Sequence, residues 1–420
     1  MSIVLKKAHK KEKGSNNSKC CGNEQGGVIE DVLVKPLRVL MVAKNFPPNF
    51  GGAEVQALRL AKELKQLGCK IDFISDNRKE PSAEGSFDGF RVYRFSSFFK
   101  GEKDILRYFV FSMRLLHFVL LHSNEYDVIH FHSISGYEAL TIPFLKLLSK
   151  KIIVKPSLVG SDDPISMKSL KLGWFFFKAL CCADKIIAIS DRLFELSIKA
   201  GIDKKKVIFV PNGIDANTFF GLTIKKRKAL KKRLGFDKFN VLFCTVGRLE
   251  ERKNQEFLLR VWQYIQRELP SAAFLIIGPG NNGDNMYYRM LQELIHEMSL
   301  PNVFFMGKSE NVDEYMKISD CFLFCSQNEG FANALLEAVF CSVFVVTKPL
   351  KGIAENIIRD ESIGRICDTS FPAHFAQCAL ATLEDSRREK KQMIMSEMRE
   401  CFEIRNIAPQ YIKLYRSCEN

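Results

Sequence analysis

The sequence predicts an α/β protein made of two doubly wound parallel-sheet domains facing a central cleft. Three observations carry this. Short, near-continuous apolar runs alternate with helical stretches. The alternation starts again beyond residue 216, and loops rich in glycine or charge follow the runs directly. At 420 residues the chain is also too long for one ordinary core.

Residues 1–30 are polar and lysine-containing, without apolar periodicity, and read as a disordered basic tail. Their opening, "MSIVLKKAHKKEK", holds too few apolar residues for a secretory leader. The first domain is expected over 31–216. Its strands are "LRVLMVA", "KIDFIS", "DVIHFH", "KIIVKP", "KIIAIS" and "KVIFV", each a near-continuous apolar run, as buried parallel strands are. Between the first two, Ala57, Leu60, Ala61 and Leu64 recur at helical spacing, and Gly68 stands where that helix would stop. The stretch Leu106 to Leu121 contains Arg107, Arg114 and His117 and falls short of the roughly 20 clean residues of a membrane span.

The second domain is expected over 217–395. It reads "NVLFCTVG", "AAFLIIG", "NVFFMG", "DCFLFCS" and "SVFVVT" as strands, with helices over Asn254 to Glu268 and Tyr287 to Met298. The lysine run of residues 225–233 lies between the two sets and reads as a solvated face. Residues 396–420 are expected to be a helical segment that packs back on the first domain.

The formal charge of +14 points to an anionic partner: nucleotide, phosphate, nucleic acid or acidic membrane. No nucleic-acid module accompanies the lysines, which disfavours nucleic acid. The 13 cysteines form neither CxxC pairs nor Cys/His clusters at zinc spacing, so no metal is expected, and a reducing, cytoplasmic setting is.

Ligands of such sheets bind beyond the carboxyl ends of the strands, so the loops there are the candidates. In "FPPNFGGAE", Gly51 and Gly52 let backbone amides approach a ligand at a helix start, or merely serve a tight turn. In "VGRLEERKN", Arg248 and Lys253 can clamp a diphosphate, or form a solvated loop. "IIGPGNNGD" spaces Gly278, Gly280 and Gly283 as GxGxxG, but no acid closes the following strand, so it is read as a decoy. In "NEGFANALLEA", Glu329 precedes a helix start and Glu337 follows about two turns in. Buried among Ala334, Leu335, Leu336 and Ala338, Glu337 needs a partner. His130 and His132 in "DVIHFH" are read as pointing to opposite faces, which argues against a shared metal. Each is a candidate sugar or acceptor contact or a structural residue. In "SMKSLKLGWFFFKALCCADK", Lys168, Lys171 and Lys178 sit beside Trp174 to Phe177. Aromatics all round the helix make a plain core helix the stronger reading over peripheral contact with an anionic membrane.

Taken in order, "PPNFGGAE", "DVIHFH", "ADKIIAIS", "VPNGID", "VGRLEERKN", "SDCFLFCSQNEGFANALLEA" and "KGIAENI" resemble the retaining nucleotide-sugar glycosyltransferases of the GT-B fold, family 4. The resemblance spans roughly residues 37 to 360 and implies two Rossmann-like domains, the first for acceptor and the second for donor. It implies that Glu337 holds the donor ribose, and that Glu329 with the amides of Gly330, Phe331 and Ala332, beside Asn333, holds the sugar. Arg248 and Lys253 would neutralise the diphosphate and Gly51 and Gly52 close on it, with no metal and no cofactor. Asn212 in "VPNGID" is a further candidate contact.

The resemblance also implies retention by front-face attack, the donor phosphate taking the acceptor's proton. The donor is expected to be a UDP-sugar before a GDP-sugar, and the acceptor a glycan or lipid-linked molecule. Three stretches depart from the pattern. Val159 stands where relatives carry a histidine, so Asp162 or Asp163 is expected to take that contact. Ser342 and Phe344 replace a glycine and a proline, and Lys351-Gly352, before Glu355, replaces Gly-Gly. A catalytically inactive nucleotide- or sugar-binding relative is the alternative.

Overall fold

The computed structural model describes residues 35–44, 46, 51–77, 83–96, 104–280, 285–383 and 388–417. The polar tail of residues 1–30, Pro47, Pro48 and Gly283 lie outside them.

Among the described residues the first sheet has eight strands: Arg38–Ala43 (β1), Lys70–Asn77 (β2), Ala83–Phe87 (β3), Phe90–Ser96 (β4), Val128–His132 (β5), Lys151–Lys155 (β6), Lys185–Ala188 (β7) and Val207–Phe209 (β8). They run in the order β3-β4-β2-β1-β5-β6-β7-β8, parallel except for the β3–β4 pair. The central strands β5 and β6 are buried along their whole length, which is why their sequences do not alternate. The helix Gly52–Gln66 buries Ala57, Leu60, Ala61 and Leu64 and ends at Gly68, whose φ of +87° suits glycine.

The second sheet has, among the described residues, six parallel strands: Leu242–Val246 (β9), Ala273–Ile277 (β10), Val303–Gly307 (β11), Cys321–Phe324 (β12), Phe344–Thr347 (β13) and Gly364–Ile366 (β14). Their order is β11-β10-β9-β12-β13-β14. The strand order reverses beside β1 in one sheet and beside β9 in the other, so each sheet has its switch point where the candidate loops emerge.

The chain then returns. Ile214, in the crossing segment between the sheets, exchanges backbone hydrogen bonds with Phe402 and Ile404. Gly213 beside it has no room for a side chain: a Cβ there would lie 2.4 Å from Ile404. The last helix, Ile404–Arg416, packs on Gly52–Gln66 and buries Ile407, Ala408, Tyr411 and Tyr415.

This helix corrects the reading of the two histidines. Residues two apart on a strand share a face, and the rings of His130 and His132 lie 4.0 Å apart, both fully buried. His130 Nδ1 shares a 2.7 Å hydrogen bond with the Tyr415 hydroxyl, and Lys151 donates to the Tyr415 carbonyl at 2.7 Å. His130 therefore sits in the seam between β5 and the last helix, with the His132 ring packed beside it.

The aromatic segment also differs from its expected form. It is two short helices, Pro164–Lys168 and Gly173–Leu180, and only Phe176 and Phe177 of its four consecutive aromatics are buried. Among the described residues no helix is long and apolar enough to cross a membrane.

Candidate active site

Four carboxyl-end loops meet between the sheets: those after β1, β6, β9 and β12. The approach is tightest at Gly330, where a Cβ would stand 1.9 Å from the Ser157 carbonyl oxygen in the loop after β6. Only glycine allows the two domains to touch there, and this is the physical reason for the residue following Glu329. On the other side, a Cβ at Gly51 would lie 2.5 Å from Glu54 Oε2 and 3.4 Å from Arg248 Nη2. One at Gly52 would lie 3.4 Å from Asn333 Nδ2. The glycine turn thus faces Arg248 and Asn333 with bare backbone.

The Asn333–Phe340 helix starts from Ala332 in the left-handed region, φ +60°, with no side-chain cap. Its first-turn amides carry the positive end of the helix into this cleft. Asn333 Oδ1 accepts from Asn212 Nδ2 at 2.9 Å, which ties the helix start to the crossing segment. Phe331 and Ala332 are buried, so they contribute backbone rather than side chain.

Glu329 is held by two cations from the loop after β9: Lys253 Nζ at 2.5 Å and Arg252 Nη1 at 3.2 Å. Arg252 also donates to the Asn328 carbonyl at 2.6 Å. Asn254, at φ +55°, turns the chain from this cationic turn into the Gln255–Glu268 helix. Gly278 is explained by the same loop. A Cβ there would lie 1.9 Å from the Gly247 carbonyl oxygen, so this glycine seats one loop against another.

Glu337 has the partner its setting requires. Arg59, from the Gly52–Gln66 helix of the other domain, donates to Glu337 Oε1 at 3.0 Å and to the Gly213 carbonyl at 2.9 Å. Both side chains are largely buried, 12% and 13% exposed. Burial raises the Glu337 carboxyl above its ordinary value, and the charge and hydrogen bond of Arg59 oppose that rise. Arg59 was not among the residues singled out from the sequence, where it is one cation within an ordinary amphipathic helix.

The expected roles of Asp162 and Asp163 do not hold. Both are buried in the loop after β6 and spend their oxygens on its backbone. Asp162 accepts from Leu158 N at 2.7 Å and Ser157 N at 2.9 Å, while burial raises its pKa. Asp163 accepts from Gly160 N at 2.7 Å and caps Pro164–Lys168 through Ile165 N and Ser166 N at 3.0 Å. Their work is to shape the loop that meets Gly330. The site therefore assembles Gly51, Gly52, Arg59, Asn212, Arg248, Lys253, Glu329, Gly330 to Asn333, and Glu337. His130, Asp162 and Asp163 make their hydrogen bonds outside this group.

Comparison with known proteins follows the same division. Residues 226–399 match the family described as "Glycosyl transferases group 1", and residues 50–218 match "Glycosyltransferase Family 4". The chain is 22% identical over 379 residues to N-acetyl-alpha-D-glucosaminyl L-malate synthase of Bacillus anthracis, covering 88% of this chain and 94% of that one. It is 27% identical over 271 residues to the Escherichia coli UDP-Gal:alpha-D-GlcNAc-diphosphoundecaprenol alpha-1,3-galactosyltransferase, covering 63% and 68%. The solved structure of Anabaena HepE in complex with UDP and glucose shares the fold, with a TM-score of 0.71. Its identity is 18% over 91% of this chain and 100% of that one.

Proposed function

Because this chain belongs to the GT-B glycosyltransferases of the group 1 and family 4 type, we propose that its cleft moves a hexose-type sugar from a nucleoside-diphosphate sugar, UDP before GDP, to a glycan or lipid-linked acceptor, with retention and without a metal. The observation that carries this reading is the convergence of Arg248, Lys253, the uncapped Asn333–Phe340 helix start and the two acids, Glu329 and Glu337, on one interdomain cleft. The UDP preference draws on the UDP named with HepE and with the Escherichia coli relative.

In this reading the donor exchanges partners with the residues already in place. The ribose hydroxyls take the Glu337 oxygen now held by Arg59, and the sugar hydroxyls donate to Glu329. Lys253 then turns from Glu329 to the diphosphate, where it and Arg248 stabilise the charge that grows as the glycosidic bond breaks. The acceptor hydroxyl attacks the anomeric carbon on the side the phosphate leaves, and a departing phosphate oxygen takes the hydroxyl proton. Two cations and a helix dipole supply the positive charge this needs, which is the ground for expecting no metal.

Thermal denaturation with UDP and GDP, each with and without EDTA, tests the donor half. Ligand at about 100 times its dissociation constant adds roughly 2.7 kcal/mol of stability. The expected result is a raised melting temperature with UDP, unchanged by EDTA and lost in Glu337→Ala. One observation favours the inactive, nucleotide-binding alternative: Val159 replaces the expected histidine and neither Asp162 nor Asp163 reaches the cleft. A UDP-dependent shift without release of UDP from UDP-sugars in the presence of acceptor would decide for it.

A further inference from the structure

The segment after the cleft loop has an outer face that the other described residues do not cover. Leu170, Leu172, Trp174 and Phe175 are 50%, 47%, 62% and 59% exposed. Trp174 and Phe175 meet edge to face at 5.1 Å, so they form one surface. The adjoining Ile142–Leu147 helix also exposes Phe144 and Leu147. Underneath, the segment is rigidly seated. Phe176 is buried against Gly136, where a Cβ would come within 2.3 Å of its ring, and Asp163 caps Pro164–Lys168.

Charge distinguishes the occupants of such a face. Residues 164–183 contain Lys168, Lys171 and Lys178 and no acid. Lys168 is tied inward to the Ala200 carbonyl, whereas Lys171 is exposed and the Lys178 ammonium lies 5.5 Å over the Trp174 ring. Protein interfaces exclude lysine from their apolar centre, while tryptophan interleaved with lysine suits the boundary of an anionic bilayer. Position agrees, because Leu170 follows Asp163, the end of the loop that meets Gly330, by only seven residues.

We propose that the Leu170–Phe175 face docks this protein on an anionic membrane surface and holds the mouth of the cleft at the level of lipid head groups. The proposal rests on the lipid-linked branch of the acceptor reading above. It places the acceptor in the bilayer and the donor in water, with the cleft between them.

Trp174 and Trp262 are the only tryptophans, and Trp262 is fully buried, so a change in emission on adding vesicles reports Trp174. The full chain is mixed with phosphatidylglycerol–phosphatidylcholine vesicles and with phosphatidylcholine alone, followed by flotation and fluorescence. Binding and a blue shift are expected with the anionic vesicles, weakened by salt. Trp174→Ser with Phe175→Ser abolishes flotation. Lys171→Glu with Lys178→Glu lowers binding by about fivefold or more per lysine.

No binding at low salt overturns the proposal, as does binding that the double serine variant retains. Self-association that disappears in that variant also overturns it and assigns the face to a second copy. The UDP melting shift, measured on the same variants, separates the two readings. A retained shift without vesicle binding sinks the docking alone, and vesicle binding without any shift sinks the donor site alone.

Discussion

Lys253 carries more of the proposed chemistry than any other side chain, because its ammonium already stands between Glu329, at 2.5 Å, and the face of Phe324, at 5.6 Å. Replacing it with alanine removes a cation whose partner charge grows as the leaving group departs. The turnover number is expected to fall about 10²- to 10³-fold, with a smaller change in the donor KM. Steady-state kinetics against the donor check this. Arg59 makes a different kind of contribution. Its removal strands the largely buried Glu337, so Arg59→Ala is expected to cost about 1–3 kcal/mol in denaturant unfolding. Adding Glu337→Gln, which no longer carries the stranded charge, is expected to recover part of that loss. The acids were legible in the sequence from their spacing around an apolar helix start. Arg59 was not, because 278 residues separate it from Glu337 and nothing local distinguishes it from a solvated arginine.

Among the elements, the seam between β5 and the last helix has a measurable signature. Burial holds His130 and His132 well below their ordinary value of 6.5, with the Lys155 charge adding to the effect for both. The unfolded chain therefore binds their protons first as pH falls. Stability from these neutral rings is full above about 6.5 and is lost below it, by up to about 1.4 kcal/mol per pH unit for each ring. Lys155 acts in the same direction at higher pH. Its ammonium is pushed down from 10.5 to about 7 by burial, so stability rises as pH climbs between those values. Urea unfolding across this range checks the sign, and His132→Gln is expected to flatten the acid limb. Elements that follow simple periodicity, such as β1 and the Gly52–Gln66 helix, were legible. The β3–β4 hairpin was passed over although its signal is local. Asp88 and Gly89 take φ values of 52° and 79°, and an Asp-Gly pair between aromatic residues is the ordinary mark of such a turn. The short edge strand β14 offers only "GRI" and has no such mark.

At the scale of the whole molecule, two repeated α/β patterns were enough to place a cleft, since strand order and loop position follow from parallel pairing. How closely the halves meet was beyond reach, because contacts such as Gly330 on Ser157 join residues with no sequence relation. The path of the chain has one further consequence. The last helix, Ile404–Arg416, lies on the first domain, and its Tyr415 closes over His130. During synthesis the first domain leaves the ribosome without that cover, and His130 on β5 lacks its Tyr415 partner until this helix has emerged. A chain broken off before residue 404 would therefore leave the first domain without the helix that covers His130 and pairs with Lys151.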